Sequence, residues 1–428
     1  TFSFAKLRGS IARVGNDAGF DRLINSYSYG GLFRNDMAWF QGDAVRKNPN
    51  LKPETTISKE IGAEVRLLDG RLTADVTYYD KYTCDQIVES ELSYLSNYQR
   101  VIINSGKISN KGWEISVSGV PVKVKNFEWK TIFNWSKNNS MVESLPEGID
   151  KIQIGSGVYN VKSYAEVGKP YGAIYAKTFK RDAEGYILCQ LDGSPKEGQD
   201  YEYLGCVQAD WRGGWNNVFR LGNFSFSVMF DFQKGGKFFS QTSIQSSVDG
   251  QSVKSLEGRD ADFFSRKILG ESDEERYGFM RPQNANTPTA NGQIYPDWGR
   301  PKGVVLPNCR YDEDVEGLAG QQVLGYCTPE RYWMHYTSRD ISRFIYDASY
   351  VKLREITVSY DLPKKWLRKT PFQTFRVAAV GRNIATLFAN TPHGLDPQAT
   401  STTGNAQGFE RGFNLPSATY GFDIKVSF

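Results

Sequence analysis

His335 and His393 are the only imidazoles in the chain, and His393 stands three residues before Asp396. A histidine beside a carboxylate is the minimum for general acid–base work. This pair is the one candidate for hydrolysis, set against a plain loop histidine beside a Leu-Asp-Pro turn. The acidic run Asp312, Glu313, Asp314 and Glu316 offers the hard oxygen ligands that Ca²⁺ takes, without EF-hand spacing. A solvated charge cluster is the other reading, and the same alternatives hold for Glu271, Asp273, Glu274 and Glu275. Structural Ca²⁺ in the loops is therefore the single cofactor expectation. Cys189 with Cys206, and Cys309 with Cys327, each close a loop of under about 20 residues, short enough for a disulfide in an oxidising compartment. Five free thiols, Cys84 included, are the alternative, and the spacing is too wide for a zinc ribbon. Tyr295, Trp298, Tyr332 and Trp333 could stack on sugar rings or seat a partner protein, or pack the loops on themselves. No nucleophile elbow, phosphate loop or metal-ligand helix occurs, so no catalytic or cofactor-binding set is expected.

The elements that must carry these residues read as strands. At the end of the chain Tyr420, Phe422, Ile424, Val426 and Phe428 alternate with Gly421, Asp423, Lys425 and Ser427. An alternating segment of about ten residues closed by an aromatic is the last strand, and the assembly signal, of an outer-membrane barrel. The same period of two runs through Phe2 to Val14 and through four hairpins: Thr56 to Asp80 about Asp69-Gly70, Trp113 to Trp135 about Pro121 to Asn126, Trp211 to Phe232 about Gly222, and Tyr350 to Phe388 about Lys365. About ten strands result. Trp113, Trp129 and Trp135 fall on the oily face and read as membrane-facing, not as a ligand box.

Strand polarity then sorts the connections. With the last strand ending on the periplasmic side, every short turn lies on that side, and the long segments 15–53, 81–100, 138–210, 233–345 and 389–416 lie outside. Short inner turns and long outer loops are the asymmetry of outer-membrane barrels. Loops of that length should carry function or substructure. The fold class is thus all-β, a transmembrane antiparallel β-barrel in the outer membrane of a Gram-negative bacterium.

Composition agrees. The chain has 428 residues, of which 39% are apolar and 14% aromatic, and its mean hydropathy is −0.49. It contains no apolar stretch of about 18 residues, the length a membrane helix needs. A barrel tolerates such low hydropathy because only alternate residues face lipid. A net charge of +4 with both signs interspersed offers no basic field for nucleic acid. No signal peptide is visible at Thr1-Phe2-Ser3-Phe4.

Several motifs resemble one family. Asn48-Pro49-Asn50-Leu51-Lys52-Pro53-Glu54 is similar to a signature that precedes a barrel strand in TonB-dependent outer-membrane transporters. Phe4 to Ser10 with Gly15-Asn16, Asn104-Ser105-Gly106 with Asn110 to Glu114, and Ala348 to Glu355 resemble the SusC/RagA branch, as do Gly381-Arg382-Asn383 and Leu395-Asp396-Pro397. The resemblance implies a plugged barrel of about 22 strands, of which residues 1–428 are the C-terminal portion, with the plug domain outside this chain. It also implies energy from the inner-membrane complex of TonB with ExbB and ExbD, a SusD-like lipoprotein lid, and a dimer of transporter–lid pairs. The implied role is import of an oligomeric nutrient, a glycan oligosaccharide or, alternatively, an oligopeptide. A barrel protease using His393 and Asp396 and a structural or adhesion barrel are the alternatives from other classes. Two open edges in lipid are too costly for ten strands to stand alone, so the rest of the barrel is expected to close the wall.

Overall fold

A computed structural model describes residues 2–257, 304–399 and 407–428, apart from 35, 93, 105, 328, 393 and 413–416. Ten antiparallel strands form one sheet in strict chain order. They are β1 (Phe2–Asn16), β2 (Glu54–Leu67), β3 (Leu72–Cys84), β4 (Lys107–Val124), β5 (Phe127–Ser144), β6 (Trp211–Leu221), β7 (Phe224–Lys234), β8 (Tyr350–Asp361), β9 (Thr374–Ala389) and β10 (Thr419–Ser427). Neighbours in sequence are neighbours in space, so each hairpin needs only its own turn to set its register. β1 and β10 are the two edges.

The inner turns are short. Residues Leu68 and Asp69 (φ 52° and 55°) and Gly70 (φ 83°) reverse the chain between β2 and β3, a conformation that glycine adopts without strain. Between β4 and β5 the pairing runs on to Val124 and Phe127. The strand thus passes through Pro121, which the sequence had placed in a turn. The register shift between Trp129 and Thr131 leaves Val120 and Pro121 outside the ladder, where a residue with no N–H costs nothing.

Alternation is continuous across the wall. One row reads Leu7, Ala63, Val76, Ile115, Trp135, Gly213, Phe232, Val351 and Phe388 from β1 to β9. The next row reads Lys6, Glu64, Asp75, Ser116, Asn134, Gly214, Asp231, Lys352 and Thr386. One face is therefore oily and the other polar. On the oily face Leu7, Ile61, Trp215, Val358, Phe422 and Ile424 are all exposed, as lipid-facing residues must be. Two polar residues on that face, Thr131 and Asn217, stand opposite each other. Indole N–H groups satisfy both: Trp215 donates to Thr131 Oγ1 at 2.8 Å and Trp129 to Asn217 Oδ1 at 3.0 Å.

The two larger packed cores lie in the outer connections, and a smaller one joins Ile108 of β4 and Val142 of β5 to Ala165 where the wall meets them. Ile187, Val304, Val323, Trp333 and Tyr336 belong to one such core, and Val161, Ile174, Phe239, Ile244 and Phe409 to another. Residues 145–210 carry a four-stranded sheet of Lys151–Ser156, Lys162–Glu166, Ala173–Phe179 and Glu197–Cys206. A separate three-stranded sheet joins Ile187–Cys189 to the hairpin of Val304–Tyr311 and Gln322–Cys327. The expectation of substructure in these loops is met, and the wall strands run further into them than alternation alone suggested, to Ser144 for β5.

The motifs converge at the outer rim. Glu54 accepts from the Asn16 side chain at 3.0 Å and from the Ile87 N–H at 2.8 Å. Asn104 accepts from the Lys52 N–H at 2.9 Å and donates to the Lys52 carbonyl at 2.8 Å. The Gly106 backbone runs so close to β5 that a β-carbon there would lie 1.9 Å from the Ser144 carbonyl oxygen.

Candidate functional site

The polar face of the wall is the lumen, and its charges are matched across strands. Arg8 donates to both Asp75 oxygens at 2.7 and 2.6 Å and to Thr77 Oγ1 at 2.5 Å. Lys81 pairs with Glu60 at 3.0 Å. Ser116 donates to Asn134 Oδ1 at 2.8 Å, and Tyr79 to Asn138 Oδ1 at 3.1 Å.

A bulge concentrates charge on β8. Leu353 pairs with Phe230, but Glu355 pairs with Met229, so Arg354 has no partner in β7. The hydrophobic phase flips at this point, from Val351 and Leu353 above to Ile356, Val358 and Tyr360 below. Absorbing one residue keeps both sets on the lipid side and turns Lys352, Arg354 and Glu355 towards the lumen. Lys352, 1% exposed at its side chain, donates to Asp396 Oδ1 at 2.6 Å and to Gln398 Oε1 at 3.1 Å. Arg354 donates to Asp231 and, at 2.6 Å, to Gln398 Oε1. Gln398 in turn donates to the Tyr350 hydroxyl at 2.5 Å, and that hydroxyl donates to Asp231 Oδ2 at 3.3 Å. The segment Leu395-Asp396-Pro397-Gln398 is thereby tied down onto the inner wall.

Three cavities open beside this network. The largest, about 570 Å³, is lined by Arg8, Asp75, Glu114, Asn134, Arg212 and Asp231. A second, about 390 Å³, adds Gln233, Lys237, Gln398 and Gln407, and a third, about 290 Å³, adds Asn138 and Gln208. Arg212 lines all three. Its Nε donates to Gln233 Oε1 at 2.9 Å, and among the described residues it forms no ion pair. Amides, hydroxyls and a guanidinium that forms no ion pair among the described residues suit recognition of a polar oligomer by hydrogen bonding.

The residues singled out from sequence are distributed differently from expectation. Tyr332 and Trp333, expected to touch substrate or lid, are each 1% exposed and pack in the core with Phe179 and Tyr336. Tyr332 accepts from Arg343, and Trp333 donates to the Glu257 carbonyl at 3.1 Å. Burial pushes the Tyr332 phenol up to about 12. Tyr295 and Trp298 lie outside the described residues, as do Glu271, Asp273, Glu274 and Glu275.

The acidic run does not converge either. Asp312 is buried and accepts from Lys180 at 3.0 and 2.9 Å and from Lys196 at 2.7 Å, while Asp314 pairs with Lys196. Glu313 and Glu316 are exposed. Burial alone would raise the Asp312 carboxyl, but Lys196 and Lys180 outweigh it and hold the group at about 2. Lysines stand where a cation would have to be. Among the described residues no group of three or more His, Cys, Asp or Glu side chains is arranged to hold a metal.

All five cysteines are thiols. Neither expected pairing, Cys189–Cys206 or Cys309–Cys327, is formed. Cys189 lies in a core with Cys309 and Cys327, whereas Cys206 ends another strand, against the Tyr171 carbonyl and the Gln208 N–H. Cys309 and Cys327 share that core but not a register position, since Cys309 stands opposite Val323 and Cys327 opposite Val304.

Asp396, half of the candidate acid–base pair, is taken by Lys352. His393 lies outside the described residues, and His335 is exposed on a helical turn. The terminal strand is as expected: Tyr420, Phe422, Ile424 and Val426 stand opposite Gly381, Ala379, Val377 and Phe375 on the lipid face. The Phe428 ring meets Phe372 edge-on at 5.3 Å. Arg212, Asp231 and Gln398 were missed. Charged residues at inward strand positions were the available signal for the first two; Gln398 carried none.

The family described as TonB dependent receptor-like, beta-barrel, matches residues 3–384. The chain is 25% identical to TonB-dependent receptor P3 of Formosa agariphila over 395 residues, covering 87% of this chain and 33% of that protein. It is 29% identical over 104 residues to TonB-dependent receptor SusC of Bacteroides thetaiotaomicron, covering 24% of this chain and 10% of that one. Among solved structures, the RagAB peptide transporter superposes with a TM-score of 0.66 at 16% identity, over 100% of this chain and 41% of that chain. The closed-closed state of the RagAB peptide importer gives 0.65 at 17% identity, again over 41% of that chain. The chain therefore spans at most about a third of the length of these curated relatives.

Proposed function

This chain belongs to the TonB-dependent receptor β-barrel family of the outer membrane, and from that premise we infer that it forms part of the wall of an importer for an oligomeric nutrient. The observation that carries the reading is the lumen face. An arc of ten strands turns a continuous polar surface inward, with cavities that meet at Arg212. Further strands complete the barrel along the bare edges of β1 and β10, because unpaired backbone groups in lipid cost several kcal/mol each. A plug domain fills the lumen, TonB supplies the energy, and a SusD-like lipoprotein closes the outer mouth.

An oligosaccharide fits the lumen best. Asn134, Asn138, Gln208, Gln233, Gln398 and Gln407 present amides that both donate and accept, the pattern that polyol hydroxyls require. Oligopeptide import is the second reading, favoured by the fold shared with a structure described as a peptide transporter. Deleting the gene and growing the strain on defined oligosaccharides or oligopeptides as sole carbon source separates them. Growth lost on a glycan alone supports the first reading, growth lost on peptides alone supports the second, and undiminished growth on both overturns the import function.

A further inference from the structure

Around the cavities of the lumen, carboxylates hold the cations in place. Arg8 pairs with Asp75, Arg354 with Asp231, Lys352 with Asp396 and Lys237 with Asp347. Arg212 has no such partner among the described residues, and its side chain's one hydrogen bond to them runs from Nε to Gln233 Oε1 at 2.9 Å. Both Nη groups are left over, and a guanidinium edge of that kind takes a carboxylate or a sulfate by parallel hydrogen bonds. Arg212 is the second residue of β6, whose other end leads into the inner turn at Gly222. It therefore stands near the outer mouth, directly below the outer connections.

The cavities that share Arg212 differ in what else they hold. The largest also contains Glu114, which stands across Ser136 from Arg212, since Ser136 pairs with both. A carboxylate there repels an anion from that side. In the cavity of about 290 Å³, Arg212 is the sole charged residue among those described, and Ser136, Asn138, Gln208 and Gln407 surround it. Asn138 is committed to Tyr79 and Asn110. Gln208 donates from Nε2 to the Tyr171 carbonyl at 3.0 Å, which leaves Oε1 to accept from a hydroxyl. The roof is tightly fitted: a β-carbon on Gly408 would lie 2.2 Å from the Val207 side chain, and one on Gly236 3.0 Å from the Val207 carbonyl oxygen. A space of this size is at the low end for a small-molecule site and suits a single sugar unit. We propose that the outer lumen selects oligosaccharides that carry an acidic group, a carboxylate or a sulfate ester. The acid sits on the Arg212 Nη groups in the cavity of about 290 Å³, with a neighbouring hydroxyl on Gln208 Oε1. This rests on the reading of the chain as part of an oligosaccharide importer and narrows its substrate class.

The test uses the full-length protein purified from its own outer membrane with any lipoprotein that accompanies it. It is incubated with a mixture of size-matched oligosaccharides: uronic acid oligomers and their methyl esters, and sulfated oligomers and their desulfated forms. Retained sugars are eluted and identified by mass spectrometry. The expected result is enrichment of one acidic class about tenfold over its neutral counterpart, the preference that hydrogen bonds to a charged group confer. Which class is enriched tells carboxylate from sulfate. Arg212→Gln should bring the ratio close to one, while Arg212→Lys, which keeps the charge without the fork, should keep part of it. Equal retention of acidic and neutral forms, retention of neither acidic class, or undiminished enrichment by R212Q overturns the proposal. Growth of the deletion strain separates this failure from failure of the import reading. If growth on a glycan is lost and no acidic class is retained, the importer stands and its selectivity for acids does not; if growth is undiminished on every substrate, import itself falls.

Discussion

Lys352 and Asp396 form a buried ion pair between the wall and the last outer connection, with side-chain exposures of 1% and 7%. The pair is more than a contact in a crowded loop, because Asp396 also caps its own turn by accepting from the Gln398 N–H at 2.8 Å. Removing one partner strands the other charge, a loss of about 3–5 kcal/mol for a buried pair. Asp396→Asn or Lys352→Met should release the segment at 395–398 from the wall, seen as faster hydrogen exchange there. K352M combined with D396L should recover most of the protection; if the double variant exchanges as fast as the singles, the ion pair is not what holds the segment.

The two faces of β10 should respond oppositely to charge. Phe422→Arg places a cation on the lipid side, at a cost of about 2–4 kcal/mol near the bilayer centre, whereas Asp423→Ala alters only the lumen. Barrel assembly, followed as the fraction that resists protease in the outer membrane, should fall sharply for F422R and for Phe428→Asp and stay near wild type for D423A. Equal loss in all three would contradict the assignment of faces.

The indole of Trp129 serves a buried amide on the lipid side. Trp129→Phe keeps the ring and removes the donor to Asn217, which is 3% exposed. Leaving that carboxamide unpaired should cost about 1–3 kcal/mol. Unfolding of the barrel in urea should show this loss for W129F and little further change for the double variant W129F/N217L.

Acid should loosen the outer module before the wall. Asp312, and likewise Asp347, whose burial is outweighed by Ser349, Asn390 and Lys237, both sit at about 2. These carboxyls are depressed in the folded state, so their contribution is full above the unfolded value of about 4 and is lost as pH falls from there through about 2. Protease cutting within residues 145–210 and 304–349 should rise over that window, and Asp312→Asn should remove part of the pH dependence.

The ten wall strands were legible because period-two alternation is enforced by two solvents, lipid on one side and water on the other. Where strands rise above the membrane that enforcement ends, and Asn138, Asn139 and Ser140 of β5 read as loop although they pair with Gly112, Lys111 and Asn110 of β4. The bulge at Arg354 was visible only as a broken phase between Leu353 and Ile356. The lumen network joins β7, β8 and a loop more than 40 residues beyond Tyr350, and alternation along single strands carries no record of such contacts. Tyr332 and Trp333 misled for a related reason: an aromatic in a long loop looks available until the loop is found to have a core.

The sorting of turns and connections also bears on how such a chain can diversify. Four of the nine wall registers are set by short inner turns and the other five span outer connections long enough to absorb a change, so a residue added within an outer connection leaves all nine alignments untouched. A residue added at Lys125-Asn126 shifts β4 against β5 and exchanges their oily and polar faces. Insertion, deletion and recombination are thus nearly free at the end that meets the environment and nearly forbidden at the end that meets the cell. New specificities can be tried on the outer surface while the frame that inserts into the membrane is inherited unchanged.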